Sequence, residues 1–173
     1  TAYRRQRQMC IRDRYLAITS CAAQAVVTAD YGQRVYRYEL SAAVNGEEAL
    51  LTLTAPETVA GLTARIEEDE GWLEYDGAIL ETGELAPGGL TPMGAIPALL
   101  ETARSGYLDT CVLEELGEVQ ALRVVSRDPE EKQGSGTETT LWFDAATHAL
   151  VRGEISQDGV CVLQCEFSQF TKE

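Results

Sequence analysis

The sequence predicts an α+β fold, an antiparallel β-meander covered by one short helix. Three observations predict it. Apolar and polar residues alternate along most of the chain, short Gly- or Asn-containing turns punctuate those stretches, and one segment alone changes to helical spacing. A length of 173 residues suits a single domain, and a hydrophobic share of 45% supports a packed core. No internal repeat or linker divides the chain.

From Val26 onward the period is two. Tyr36, Tyr38, Leu40, Ala42 and Val44 share one face of the first long strand, with Arg37, Glu39 and Ser41 opposite. Asn45-Gly46 is a hairpin turn, because both residues tolerate positive φ. The return strand aligns Ala49, Leu51, Leu53 and Ala55 before Pro56 stops it. Leu62–Glu67, Trp72–Tyr75 and Ala78–Glu81 continue the meander, the last two joined by the tight pair Asp76-Gly77. Thr91-Pro92 is an N-cap followed by a first-turn proline. Met93, Ile96, Leu99, Leu100 and Ala103 then recur at helical spacing up to Ser105-Gly106. Pro97 argues for a lead-in turn followed by a helix over about Ile96–Arg104. Strands return at Leu108–Leu113, Val119–Arg127, Thr139–Asp144, Leu150–Gln157 and Val160–Phe167. The polar stretch DPEEKQGSG forms a loop between the second and third of these.

Charge divides the chain. Residues 1–20 carry five arginines against Asp13, a net of +4, while the other 153 residues hold 9 basic and 27 acidic side chains. So acidic a body repels phosphate backbones, which excludes nucleic acid as an expected partner, and it repels its own copies, which favours a monomer.

The first 14 residues have no apolar periodicity. Their string RRQRQMCIRDR resembles translated sequencing-adapter read-through, so 1–14 is read as a non-native leader. In Tyr15–Ala23, Ile18-Thr19-Ser20-Cys21 has the pattern of a bacterial lipobox: an aliphatic residue, two small residues, then the cysteine that takes the lipid. Only Tyr15–Ile18 remains of the apolar stretch that a signal peptide carries. Residues 15–25 are therefore expected to be a signal remnant, lipobox and tether. Residues 26–173 are expected to be the domain, extracytoplasmic and anchored to the bacterial membrane through lipid on Cys21. No run approaches the roughly 20 apolar residues that span a bilayer.

The stretch TTLWFDAATHALVRGEISQDGVCVLQCEFSQF (Thr139–Phe170) resembles the C-terminal strands of the LolA-like lipoprotein-localisation proteins. It shares with them an aromatic-Asp strand end, a turn, a strand with a charged outer face, a Gly turn and a closing strand ending in Phe-Ser-x-Phe. With the upstream order of meander, helix and long-loop strands, the resemblance covers most of Val26–Phe170. Within that superfamily the chain looks most like the small clostridial lipoproteins associated with spore germination. The resemblance implies a half-barrel, a strongly curved antiparallel sheet with its concave face covered by helix. In family carriers that concavity holds acyl chains, whereas a lipobox would tether this chain and favour binding or scaffolding at the membrane surface.

Little else points to chemistry. Cys161 and Cys165 lie on one strand face about 13 Å apart, too far for a direct bridge. Cys111 is left to pair with either across neighbouring strands, or all three are small buried apolar residues. His148 falls in a turn expected to be exposed, and Glu67–Glu70 reads as a solvated turn rather than a calcium loop. Nucleophile-elbow, phosphate-loop and zinc-protease motifs are missing, so no enzyme, metal or cofactor is expected. Tyr36, Tyr38, Leu40, Leu51, Leu53, Trp72, Trp142 and Phe143 either line a cavity for a lipid or other hydrophobic ligand, or fill the core of a module that holds an envelope protein partner.

Overall fold

A computed structural model describes residues 13, 15–67, 70–83 and 89–172. Apart from Asp13, the expected leader lies outside the described residues, as do Glu68 and Asp69 of the acidic turn. The described residues form eleven strands and a helix of 14 residues. The strands are β1 (Ser20–Asp30), β2 (Val35–Asn45), β3 (Glu48–Ala55), β4 (Thr63–Glu67), β5 (Glu70–Tyr75) and β6 (Ala78–Glu81), followed by helix α1 (Pro92–Ser105). Then come β7 (Leu108–Leu116), β8 (Val119–Arg127), β9 (Thr137–Asp144), β10 (Leu150–Gln157) and β11 (Val160–Lys172).

All strands join one open antiparallel sheet in the order β6-β5-β4-β3-β2-β1-β11-β10-β9-β8-β7. Two meanders, β1–β6 and β7–β11, meet where the first strand pairs with the last. Extra residues interrupt the register between Ala22 and Gln24 on β1, between Ile155 and Ser156 on β10, and between Leu150 and Arg152. Bulges of this kind bend and twist a sheet, and this one curves around α1.

The core lies between the concave face and the helix. Met93, Ala95, Ile96, Leu99, Leu100 and Ala103 form the buried side of α1, opposite Val27, Leu40, Leu51, Leu141, Phe143, Ile155 and Leu163. Burial of each large aliphatic side chain here stabilises the fold by about 1.5–3 kcal/mol. Gly153 on β10 lets the helix come close, for a Cβ there would sit 2.5 Å from Leu99 Cδ1.

Two expectations are corrected. Residues 20–25, assigned to a tether, are the start of β1, hydrogen-bonded to β2 on one side and β11 on the other. Alanine-rich Ala22–Ala25 has weak strand propensity, and pairing with two neighbours overrides it. The helix does not wait until Ile96. It starts at Pro92, capped by Thr91, whose Oγ1 accepts from Gly94 N at 3.1 Å. Pro97 lies early in it, so its missing N–H forfeits a single bond close to the helix start.

Candidate functional site

The curved sheet and α1 leave an apolar recess of about 230 Å³ at the N-terminal end of the helix. Tyr38 of β2, Leu53 of β3, Val59 and Leu62 of the β3–β4 connection, and Leu73 of β5 form its sheet side. Pro92 and Met93 close it from the helix. The recess exists because the first turn of α1 ends over β2 while β3–β5 curl past it.

A row of tyrosines leads out of the recess. Tyr38 stacks parallel to Tyr36 at 6.3 Å between ring centroids, and Tyr36 meets Tyr31 at 6.2 Å. Tyr36 and Tyr38 share a face because they are two apart on β2. Tyr31, in the β1–β2 turn, donates its hydroxyl to the Leu90 carbonyl at 3.0 Å and so ties that turn to the residue before the helix cap. Burial pushes the Tyr31 hydroxyl pKa above its ordinary value, the neighbouring Tyr38 and Tyr36 adding to it, and the phenol stays neutral at physiological pH.

Away from that end, side chains of the described residues pack the concavity. Leu40 and Leu51, read from the sequence as either cavity lining or core filling, are about 1% and 0% exposed, and Phe143 is equally buried. At the far end Tyr15 occupies the core with no exposure, its ring edge-on to Phe143 at 4.9 Å. Nothing in the alternation of the strands marked Tyr15, because it precedes the first strand; a lone large aromatic before a strand was its only signal.

Trp72 and Trp142 are on the other, convex face. Trp142 and Phe143 are consecutive on β9, so only one can point inward, and Phe143 does. Trp142 donates Nε1–H to Glu114 at 2.6 Å and lies under the Arg152 guanidinium, 5.2 Å from the ring. Arg152 in turn pairs with Glu154, and Arg123 reaches Glu114 at 3.5 Å. Trp72 lines a shallow convex groove with Leu50, Arg65 and Ile79.

Of the three thiols expected to compete for a disulfide, Cys161 and Cys165 are not bridged to each other. Cys111 is on the edge strand β7, with β8, β9 and β10 between it and β11, so it has no neighbouring strand in common with Cys161 or Cys165. Sequence order hid this separation. Burial pushes the Cys165 thiol up to about 12, and burial also raises Cys161, so neither is a ready thiolate nucleophile. His148 is half-buried rather than exposed; it adopts φ 59° in the β9–β10 turn. Among the described residues no group of three His, Cys, Asp or Glu side chains could hold a metal ion, and no helix is long and apolar enough to cross a membrane.

The residues with the lipobox pattern run into β1. Ser20 pairs with Asn45, and Cys21 pairs with Val44 and Lys172, its side chain buried beneath the C-terminal end of α1 near Arg104. The Thr19 carbonyl accepts from Gly46 N at 2.8 Å, and Ile18 packs against the core.

An open antiparallel sheet wrapped around one helix, with a recess at the helix start, defines a class of fold before any particular protein. No protein-family model and no curated protein sequence matches the chain. Solved structures do. An uncharacterised conserved protein of Thermus thermophilus superposes with a TM-score of 0.57 at 12% identity, over 98% of this chain and 87% of that one. A structure of the Clostridioides difficile CwlD amidase in complex with the GerS lipoprotein matches with a TM-score of 0.51 at 12% identity, over 98% and 95%. A LolA superfamily protein of Nitrosomonas europaea gives 0.48 at 11% identity, over 96% and 93%. At such identities the likeness is one of fold alone.

Proposed function

We propose that this chain is a non-enzymatic binding module of the bacterial cell envelope. Its recess and tyrosine row take an apolar side chain of a protein partner, rather than a whole lipid. One observation carries the reading: among the described residues Ile96, Leu99, Leu40, Leu51 and Phe143 pack the concave face, and the recess at the helix start measures about 230 Å³. Pockets that enclose a drug-sized ligand run from about 300 to 1,000 Å³. A recess below that range fits one or two side chains, and three stacked or tilted tyrosines beside it provide the amphipathic aromatic surface that interfaces favour. In the Clostridioides difficile complex, a protein with the same fold is bound to an amidase, so the architecture is compatible with a protein partner.

The lipobox supports attachment through Cys21. Nine residues separate Cys21 from Asp30 along β1, a rise of about 30 Å. A lipid on Cys21 therefore holds one end of the sheet at the membrane and presents Tyr31, Tyr36 and Tyr38 at the other. The test combines native mass spectrometry with site-specific photocrosslinking in a bacterial envelope. The expected result is a lipid-free domain that crosslinks to one protein from position 36, with the crosslink lost in Tyr38→Glu and unaffected by Trp72→Ala. A stoichiometric co-purifying lipid would overturn this in favour of a lipid carrier.

A further inference from the structure

Tyr15 makes the contacts of a bound ligand, although it belongs to the chain. Its ring meets Phe143 edge-on at 4.9 Å and Phe170 at 6.3 Å. The Lys172 ammonium lies over the ring face, 4.9 Å from its centroid. The hydroxyl donates to the His148 carbonyl at 3.0 Å, and Lys172 Nζ donates to the same oxygen at 2.8 Å. Every part of a phenol is thereby recognised: an aromatic edge against the ring edge, a cation on the face, an acceptor for the hydroxyl. The walls come from β9, β11 and the β9–β10 turn, with the Leu150 backbone at the hydroxyl and Cys21 of β1 nearby.

That segment is joined to the sheet just ahead of Cys21. Between them, Ala17 N and Ile18 N donate to the Asp13 and Tyr15 carbonyls. Leu16 in this stretch is 59% exposed. The lipobox lies between the occupant and its walls. Hydrolysis of the Ser20–Cys21 amide by water, catalysed by a host peptidase, leaves a Ser20 carboxylate and a Cys21 α-amine, and removes Tyr15 with the departing piece.

We propose that Tyr15 is the resident occupant of a phenol-binding socket, and that cleavage before Cys21 opens this socket to a tyrosine side chain of a partner. The release step rests on the envelope-lipoprotein reading above; the socket itself does not. Once open, the socket holds an ammonium and a carbonyl at the end of an apolar cleft, so a ring that bears a hydroxyl is preferred to one that lacks it. It lies at the Cys21 end of β1, away from the tyrosine row, and gives the domain a second aromatic site close to the membrane.

The test uses the full chain with Tyr15→Ala, which empties the socket without cleavage, and 4-methylphenol as the probe because it is the tyrosine side chain itself. At ten times its dissociation constant the probe should raise the Tm of this variant by about 3–5 °C and leave the unsubstituted chain unchanged. Toluene should bind roughly 3- to 5-fold more weakly, since it leaves the carbonyl without the hydroxyl donor. Lys172→Met in the same background should weaken 4-methylphenol and toluene alike, because it removes the cation from the ring face that both share. Should Tyr15→Ala fold poorly, Tyr15→Val serves with the same readouts. Equal binding of toluene and 4-methylphenol would mean a plain apolar cavity, and stabilisation of the unsubstituted chain would mean binding elsewhere; either result overturns the socket. The release step is read separately, by intact mass of the chain recovered from bacterial membranes. With residues 1–14 replaced by the basic and apolar regions of a complete bacterial signal peptide, a mass beginning at Cys21 supports it, and a chain that retains Tyr15 refutes it whatever the probe does.

Discussion

Replacing Gly153 by alanine should destabilise the protein, although alanine is ordinarily the better strand residue. The added Cβ would sit 2.5 Å from Leu99 Cδ1, 2.8 Å from Cδ2 and 3.1 Å from Cγ. Both branches of the leucine are struck, so a change of rotamer cannot clear the contact. Ordinary carbon contacts lie near 3.5–4.0 Å, and α1 would have to rise by about 1 Å from the sheet. Overpacking of this kind costs about 1–3 kcal/mol, offset by about 0.5–1 kcal/mol from the restricted unfolded chain. A net loss of about 1–2 kcal/mol corresponds to a Tm lower by about 2–8 °C for a domain of this length. Urea unfolding followed by circular dichroism measures it. Leu99→Ala alone should cost about 2–5 kcal/mol through the cavity it leaves. Combined with Gly153→Ala it should cost at least about 1 kcal/mol less than the sum of the two, because the new methyl fills vacated space. A neutral or stabilising Gly153→Ala, or strict additivity in the double variant, would refute the close approach of helix and sheet.

Two further predictions concern titration. Asp144 Oδ1 accepts from Thr147 N at 2.7 Å and Ala146 N at 2.8 Å, and these bonds, the one from Thr147 foremost, hold its carboxyl below the usual range. The folded pKa is lower than the unfolded value near 3.9, so its stabilisation is present above about pH 4 and is lost as pH falls through the folded pKa. Asp144→Asn should therefore cost about 1 kcal/mol at pH 7 and flatten the acid limb of the stability curve; an unchanged acid limb would refute the assignment. Iodoacetamide at pH 8, with the modified peptides identified by mass spectrometry, should label the exposed Cys161 before the buried Cys165. A thiol pushed up to about 12 has roughly a thousandfold less thiolate at that pH than a free cysteine near 8.5. Equal labelling rates in the native protein would contradict the burial of Cys165.

Much of the sheet was legible because each strand reports its own pleat. Tyr38, Leu40, Leu51 and Leu53 recur with a period of two on their strands, and all four face the concave side. The candidate site was legible only in part. Tyr36, Tyr38 and Leu53 were marked by their alternation, and they sit in or beside the recess. Its helix side, Pro92 and Met93, read only as a helix start, since a sequence gives no distance between elements. Trp72 and Trp142 were placed inside on hydrophobicity alone. Trp142 faces outward because the Phe143 ring takes the inner position, and Glu114 and Arg152 satisfy the indole from two other strands.

By itself, the sequence determined what depends on neighbours within a few residues: period-two strands, turns at Asn45-Gly46 and Asp76-Gly77, and the Thr91 cap. Only the tertiary structure decided what depends on which strands lie side by side. The pairing of β1 with β11 drew residues 20–25 out of an expected tether and into the middle of the sheet. The order of β7 to β11 set Cys111 apart from Cys161 and Cys165. Closure of the core around Tyr15 turned a residue assigned to a signal remnant into a fully buried ring. The physical reason is common to all three: alternation specifies which face a residue takes, while register and strand order arise from long-range burial that no local stretch encodes.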